Sequence, residues 1–179
     1  DFPEIERLAR IWGPGGTVIK VGDQLFTEER FFFAEPEIFE ILTIPLVKGD
    51  PATALQDVGS VVLSRTMARK YFGDEEPMGR ALIIPSQGNR ALQVSGIMED
   101  VPANSHLHFD FLASYLTLKG LAGSGDNDYF LGTRNFSDNV TGIYARLSTR
   151  DGGTALQARI PAFLDKHFPP RADDQGRLV

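Results

Sequence analysis

The stretch that most constrains the fold is SVVLS at residues 60–64, which runs directly into RTMARKYFG. A short apolar run rich in valine predicts a strand that is buried in the core. Ser64 is placed to cap an amphipathic helix, and Gly73 is placed to end it in the left-handed conformation. The inward stripe of this helix is Met67, Ala68, Tyr71 and Phe72, and its water-facing residues are Arg65, Arg69 and Lys70.

Residues before this unit alternate between helical and strand-like patterns. Residues 4–12 are predicted to form a helix ended by GPGG, because their apolar residues have helical spacing: Ile5, Leu8, Ala9 and Trp12. Residues 17–21 and 25–33 predict a hairpin joined at Gly22-Asp23-Gln24. Pro36 opens a short helix whose apolar residues are Ile38, Phe39, Ile41 and Leu42. Residues 45–55 predict a turn that leads into another short helix.

Residues after this unit predict a second hairpin, a surface loop, a strand and a last helix. The hairpin joins 81–85 to 91–99 through SQGN, the polar loop covers 120–128, and the strand covers 140–148. The helix at 154–168 has an apolar stripe of Leu156, Ile160, Phe163, Leu164 and Phe168. Pro161 lies inside it and removes one helical hydrogen bond, which predicts a kink or a late start.

The composition excludes several classes of partner. Eighteen basic residues against 24 acidic ones give a net charge of −6, and the basic residues are scattered, which argues against nucleic acid. No apolar run approaches the roughly 18 residues that a membrane span needs. The absence of cysteine fits a reducing cytosol or an exported protein without disulfides. The chain starts without methionine and stops at GRLV, from which we expect a segment of a longer protein.

The motif NSHLHFD raises the question of a metal site. In an extended strand His106, His108 and Asp110 would project from one face and could converge on a cation. The chain holds one further histidine, His167, and no cysteine, so carboxylates would have to complete the ligand set. The alternative is a loop that runs into a strand, with His106 or His108 capping backbone groups. Nucleophile-elbow and phosphate-loop motifs are absent, and we assign no catalytic, cofactor-binding or metal-binding residue.

Three consecutive phenylalanines also need a structural explanation. Phe31, Phe32 and Phe33 cannot all point to one side of a strand, so at least one of them must face another element or a partner. Burial under a neighbouring element is favoured, because large exposed apolar patches are rare on proteins in solution.

The order of these blocks resembles a known family. The resemblance is carried by the blocks SVVLSRTMARKYFGDEEPMGRAL and VSGIMEDVPANSH. Their most specific parts are the strand, helix, Y-F-G, acidic turn and P-x-G at residues 61–79 and the pattern G-I-x-x-D-x-P-x-N-S-H at residues 96–106. The chain is similar over most of residues 1–168 to the MacB-like periplasmic core domain of ABC transporter permeases of the MacB and FtsX type, especially the Bacteroidetes version. In that family the histidine of the second block is part of a structural junction.

The resemblance implies an α+β (mixed α/β) fold in which 1–179 is one extracytoplasmic core domain. A porter-like βαβ subdomain of 1–45 and 106–179 would carry a smaller inserted α/β subdomain of 46–105. The implied function is to transmit conformational change, driven by a cytoplasmic ATPase, to a substrate or partner outside the membrane. The implied partners are the ATPase, reached through the full-length membrane-anchored permease, a second permease copy, and a periplasmic or outer-membrane protein. The domain would lie on the periplasmic side of the bacterial inner membrane, without a cofactor and without enzymatic activity.

Two other functions compete with this one. A stand-alone extracytoplasmic ligand-binding or sensor module would place a cleft near FFFAEPEIF, at residues 31–39. A small metal-dependent hydrolase would use His106, His108 and Asp110. Transmembrane segments on both sides of the domain in the parent gene distinguish the permease from the module, and metal analysis tests the hydrolase.

Overall fold

The computed structural model describes residues 2–118 and 141–167 of the chain. The loop predicted at 120–128 and Phe168, the last residue of the predicted apolar stripe, lie outside this part. Two compact units are present, one formed by residues 1–8 with 145–179 and the other by residues 9–144. The predicted α+β class is confirmed by the elements below. The division into 1–45 with 106–179 and an insert of 46–105 stays a prediction.

Strands predominate over helices in the described residues. The strands are β1 Ile5–Trp12, β2 Thr17–Val21, β3 Gln24–Glu28, β4 Phe31–Ala34, β5 Leu46–Lys48, β6 Ser60–Ser64, β7 Ala81–Ile84, β8 Arg90–Met98, β9 Phe111–Ser114 and β10 Thr141–Leu147. The helices are α1 Ile38–Leu42, α2 Arg65–Phe72 and α3 Gly152–His167.

The larger unit is built on a mixed sheet with the strand order β1-β4-β9-β6-β8-β7-β2-β3. The pairs β4–β9 and β6–β8 are parallel, whereas β6–β9 and β7–β8 are antiparallel. The short strand β5 pairs with β8 outside this order. All five residues of β6 are buried, as the apolar run SVVLS predicted. A strand that is buried on both faces needs covering elements on both sides of the sheet.

The sheet of this unit curls. Strands β3 and β4 stand far apart in the strand order, yet only Glu29 and Arg30 separate them in the chain. Since consecutive Cα atoms are about 3.8 Å apart, the end of β3 and the start of β4 lie within roughly 12 Å of each other. The prediction of one continuous strand over 25–33 was therefore wrong at this corner, where the chain passes between distant strands.

Two apolar clusters fill the larger unit. The first contains Phe31, Phe33, Val61 and Leu63, with residues of α2 packed against it, and the second contains Val62, Leu112 and residues of α1. Phe32 packs against the second cluster, so the three phenylalanines divide between the two, and burial explains all of them. Gly13 makes room for this arrangement, because a Cβ atom there would lie 2.6 Å from Phe32 Cδ1.

The helix predicted over residues 4–12 is wrong, because this segment is strand β1. Ile11 and Trp12 pair with Ala34 and Phe33 of β4, and Ala9 and Ile11 are buried with the two-residue period of a strand. Arg10, between them, donates to Glu35 Oε1 from Nη2 at 2.6 Å. Pairing with a strand distant in sequence has overridden a local pattern that fits a helix.

Five further details of the sequence prediction have outcomes here. Residues 45–55 begin with strand β5 and continue as turns, so the helix predicted there is wrong. The first short helix and the second hairpin are confirmed as α1 and as β7–β8. Gly73 ends α2 with φ 59° and ψ −122°, a positive φ outside the left-handed helical region that was predicted. Helix α3 begins at Gly152 and runs through Pro161, which excludes the late start.

The smaller unit joins the start of β1, the end of β10 and helix α3. Arg146 Nε donates to Glu6 Oε2 at 3.0 Å, and Arg159 Nε lies 3.3 Å from Glu4 Oε1. Of the predicted apolar stripe, Leu156 and Phe163 are half-buried, whereas Ile160 and Leu164 are exposed. None of the helices in the described residues is long and apolar enough to cross a bilayer.

Candidate functional site

The histidine motif lies in a loop that precedes β9. His106 Nε2 lies 3.3 Å from the Tyr144 hydroxyl, and His108 Nε2 lies 3.3 Å from the Ala103 carbonyl oxygen. Asp110 Oδ1 instead lies 3.4 Å from Ser64 Oγ. The three side chains thus have three different partners, since the strand begins only at Phe111 and the alternation expected of a strand does not apply to them. Within residues 2–118 and 141–167 no three His, Asp or Glu side chains are grouped as metal ligands.

The loop interpretation of this motif is confirmed at His108. Its Nε2 atom, when it carries the proton, donates to the Ala103 carbonyl within the same loop. Ser105 Oγ accepts from the Leu107 backbone N–H at 3.3 Å, a further local bond. These contacts shape the path of the chain into β9.

Two aspartates near this loop, Asp100 and Asp110, hold the N-terminal end of α2. Ser64 Oγ accepts from the Met67 N–H at 3.2 Å, the cap predicted from the sequence, and also lies near Asp110. Asp100 accepts from both the backbone N–H and the hydroxyl of Thr66, at 3.0 and 2.8 Å. We call these five residues the N-terminal anchor. It joins the two sequence blocks of residues 60–82 and 94–106.

The pKa values of Asp100 and Asp110 are shifted in opposite directions. The backbone N–H of Thr66 holds the pKa of Asp100 below its usual value, and the hydroxyls of Thr66 and Ser64 and the charge of Arg65 act in the same direction. Burial raises the pKa of Asp110, and this exceeds the lowering by Arg30 and by the Ser64 hydrogen bond. The arrangement uses Asp100 as an ionised helix cap.

Beside Asp100 a second pair joins the helix to the end of β8. Arg65 donates from Nε and Nη2 to the two carboxylate oxygens of Glu99, at 2.7 and 2.8 Å. The hydrogen bond and charge of Arg65 lower the pKa of Glu99. Both side chains are about half exposed, so water screens this bidentate pair.

The C-terminal half of α2 is held by a buried carboxylate. Glu28, at the end of β3, is 7% exposed, and its Oε1 atom accepts from Lys70 Nζ at 2.5 Å and from the Tyr71 hydroxyl. The Lys70 ammonium also lies 5.3 Å from the ring centres of Phe26 and Tyr71. Burial, and then the carboxylate, raise the pKa of Tyr71. We call Glu28, Lys70 and Tyr71 the C-terminal anchor.

Lys70 is exposed, as the sequence predicted, but its contact with a buried carboxylate was not predicted. Lys70 keeps part of its surface exposed while its ammonium turns to Glu28. No local pattern marks Glu28 as buried, because Glu29 beside it has the same chemistry and is exposed. For Asp100 a signal existed, because an aspartate follows the strand in the block G-I-x-x-D-x-P-x-N-S-H.

Two grooves lie beside the 42–45 turn. The larger has about 340 Å³ and an apolar lining that includes Leu42, Val101, Leu107 and Phe109, with His106 among its residues. The smaller has about 180 Å³ and contacts Phe39, so it lies close to the segment for which the alternative function predicted a cleft. Thr43, which lines both, has φ 52°, a strained value for a β-branched residue.

Comparison with protein families gives one match that spans most of the chain. The model of the MacB-like periplasmic core domain matches residues 1–163. No curated protein sequence is significantly similar to the chain.

Three solved structures share the fold. A domain of a protein described as a permease, from Porphyromonas gingivalis, is 23% identical with a TM-score of 0.71, over 94% of this chain and 73% of that one. The periplasmic region of MacB from Actinobacillus actinomycetemcomitans is 17% identical with a TM-score of 0.65, over 92% and 68%. The extracellular domain of the ABC-type transporter YknZ from Gram-positive bacteria is 12% identical with a TM-score of 0.62, over 92% and 77%.

Proposed function

The chain belongs to the family of MacB-like periplasmic core domains, and we propose that it is the extracytoplasmic part of an ABC transporter permease that transmits ATP-driven conformational change. The match over residues 1–163 carries this proposal. The shared fold of a MacB periplasmic region and of the YknZ extracellular domain supports a location outside the cytoplasmic membrane.

A domain that transmits a movement must resist deformation, and the two anchors of α2 supply that resistance in residues 9–144. The N-terminal anchor ties the helix to the loop after β8, and the C-terminal anchor ties it to the end of β3. Between them Ala68 is buried against the first apolar cluster. The helix and the sheet beneath it therefore move as one body, because displacing either end breaks charged hydrogen bonds.

The proposed partners follow from this role. A cytoplasmic ATPase acts through the membrane-spanning part of the permease, a second permease copy completes the assembly, and a periplasmic or outer-membrane protein receives the movement. The domain would lie on the periplasmic side of the bacterial inner membrane. Its aspartates and its buried glutamate hold a helix, so the role needs no cofactor and no chemical step from these residues.

Spin labels on the full-length permease, reconstituted with its ATPase, test the proposal. This chain has no cysteine, and Val58 and Leu25 are 60% and 63% exposed, so Val58→Cys and Leu25→Cys give labelling sites that leave the core intact. We expect the distance between Val58→Cys labels on two permease copies to change when a non-hydrolysable ATP analogue binds. The distance between the Leu25→Cys and Val58→Cys labels of one domain serves as the control and should stay constant.

Two results would contradict the proposal. If the distance between copies is the same with and without nucleotide, the domain does not follow the ATPase. If the distance within one domain changes as much as the distance between copies, the domain deforms and does not transmit movement as one body. A parent reading frame without transmembrane segments would favour the stand-alone ligand-binding or sensor module.

A further inference from the structure

A groove of about 490 Å³ runs between helix α2 and the short strand β5. Ala68 and Ile97, both buried, form its base, and Val47 and Pro77 add apolar walls. We call it the α2–β5 groove. Its other lining residues are Lys48, Arg65, Thr66, Arg69, Gly73, Glu75 and Asp100.

Most of the charged residues of this groove already have partners within the chain. Lys48 Nζ donates to Glu76 Oε2 at 2.6 Å, beyond the C-terminal end of α2, and Arg80 pairs with Glu75. At the N-terminal end the Arg65–Glu99 pair and the Thr66–Asp100 bonds use the charges there.

Arg69 is the exception. It lies one turn after Arg65 and one turn before Gly73, on the face of the helix that lines the groove. Among residues 2–118 and 141–167 its guanidinium has neither a hydrogen-bond nor an ion-pair partner. Within the part of the chain that the structure describes, the groove therefore contains one cation without a charged partner, next to an apolar base.

Strand β5 adds a second recognition element. It pairs with β8 along one edge, and its other edge has no strand partner in the part of the chain that the structure describes. Val47 and Lys48 of this strand line the groove. The register of the β5–β8 pair shifts between Leu46 and Lys48, so this free edge is short and irregular and offers few backbone N–H and C=O groups to a bound peptide.

We propose that the α2–β5 groove binds an extended peptide segment of a partner protein, in which a Glu or Asp carboxylate lies beside apolar side chains. The carboxylate would form a bidentate pair with Arg69, because the planar guanidinium matches its geometry. The apolar side chains would cover Ala68, Ile97 and Val47 along the groove, and the peptide group that passes Val47 would reach the short free edge of β5. A fatty acid could use the base and the arginine, but it has no backbone for the strand edge, so we favour a peptide.

This inference deepens the proposed function by naming the chemistry of a partner outside the membrane, and its biological role rests on that function. Binding itself is measured on the 179-residue chain, without nucleotide or ATPase. Failure of peptide binding and failure of nucleotide-driven movement are thus separate results.

The test uses the acetylated, amidated peptide Val-Leu-Glu-Leu-Val and versions with Gln or Lys in place of Glu. Backbone amide shifts in NMR spectra report the site, and titration gives Kd. We expect shifts at Val47, Ala68 and Ile97 with the Glu peptide, and a Kd about tenfold weaker for the Gln peptide, since one charge-assisted pair is lost. The Lys peptide should not bind at the groove.

Three variants locate the interaction. Arg69→Gln should weaken binding of the Glu peptide about tenfold and abolish its preference over the Gln peptide. Arg69→Lys should restore only part of the loss, because an ammonium lacks the planar fork. Arg150→Gln removes the same charge from an exposed residue that does not line the groove, and should leave Kd unchanged. All three variants should keep the unfolding midpoint of the parent chain, because both arginines are exposed.

Several results would overturn the inference. These are the absence of groove shifts with the Glu peptide, shifts that lie elsewhere, equal Kd values for the three peptides, or an Arg69→Gln chain that binds as well as the parent. Decanoate is titrated in parallel. If it binds the groove as tightly as the Glu peptide, with the same dependence on Arg69, the site recognises an amphipathic acid and the assignment to a peptide is wrong.

Discussion

The two ends of helix α2 carry similar chemistry in different surroundings. At the N-terminal end the side chains of Arg65 and Glu99 are 53% and 47% exposed, and at the C-terminal end those of Lys70 and Glu28 are 39% and 9% exposed. Each end pairs one cation with one carboxylate. At the N-terminal end the Thr66 hydroxyl donates to a separate carboxylate, that of Asp100, whereas at the C-terminal end the Tyr71 hydroxyl donates to Glu28 itself. The difference is that water can replace the partner of an exposed group and cannot reach a buried carboxylate.

Similar ion pairs therefore contribute different amounts to the free energy of unfolding. An exposed pair gains little, because water competes for both charges and salt screens them. A buried acceptor that loses its donors, or a donor that loses a buried acceptor, costs the free energy of removing it from water. Ranked by this reasoning, three alanine substitutions and one comparison of pH dependence test this difference.

Removing the buried carboxylate should have the largest effect. Glu28→Ala leaves the Lys70 ammonium and the Tyr71 hydroxyl without their shared acceptor, and we expect the free energy of unfolding to fall by about 2 kcal/mol. Urea unfolding followed by circular dichroism measures the change. The neighbouring exposed residue supplies a matched control, Glu29→Ala, which should stay within about 0.5 kcal/mol of the parent. Equal effects of the two substitutions would mean that the C-terminal anchor adds nothing.

Removing the helix cap should have the next largest effect. Asp100→Ala takes away the acceptor of both Thr66 donors, and we expect a loss of about 1 kcal/mol in the same urea experiment. Asp74→Ala, an exposed aspartate just after α2, is the control and should change the free energy of unfolding little. A loss for Asp100→Ala no larger than for the control would contradict the role of the N-terminal anchor.

The contributions of Asp100 and Asp110 to stability should change in opposite directions as pH rises. The pKa of Asp100 is lowered in the folded chain, so its stabilisation is present above the unfolded pKa of about 3.9 and is lost as pH falls through the folded pKa. The pKa of Asp110 is raised, so its contribution is present below about pH 3.9 and is lost as pH rises through the folded pKa.

Urea unfolding from about pH 3 to about pH 7 measures this difference. Relative to the parent, Asp100→Asn should lose stability more at neutral than at acid pH. Asp110→Asn should gain relative stability as pH rises, because an amide has no ionisation to disfavour and can still accept from Ser64. If the free energies of unfolding of both variants, relative to the parent, changed in the same direction as pH rises, the opposite pKa shifts of the two residues would be refuted.

Removing the exposed pair should have the smallest effect. Arg65→Ala breaks two hydrogen bonds to Glu99, yet both groups can turn to water. We expect a change smaller than that of Asp100→Ala, and smaller still in high salt. An effect as large as that of Glu28→Ala would show that exposure does not explain the difference between the two ends.

Local patterns predicted the elements whose residues decide their own conformation. The buried strand SVVLS, the Ser64 cap and the hairpin of β7 and β8 follow from side-chain character and turn residues close together in the chain. The metal question could be narrowed by counting ligands. The sequence alone could not decide whether His106, His108 and Asp110 converge on one point, because the direction of each side chain depends on where β9 begins.

Patterns failed where distant parts of the chain decide the structure. Residues 4–12 fit a helix by spacing, but hydrogen bonds from β4 make them a strand. Glu28 and Glu29 are chemically alike, and only the approach of α2 to the end of β3 buries one of them. The break at Glu29 and Arg30 likewise depends on the curl of the sheet, which no short segment specifies.

By itself the sequence determined the buried strand β6 and the cap of α2, since these depend on residues close together in the chain. Its motifs also carried the family resemblance, which the family match confirmed and which implied the α+β class. Only the tertiary structure decided which carboxylate is buried and that Arg69, beside the α2–β5 groove, has no ion-pair partner among the described residues. The physical reason is that burial and pairing depend on what the remaining chain places within a few ångströms of a side chain, and one segment carries no record of that.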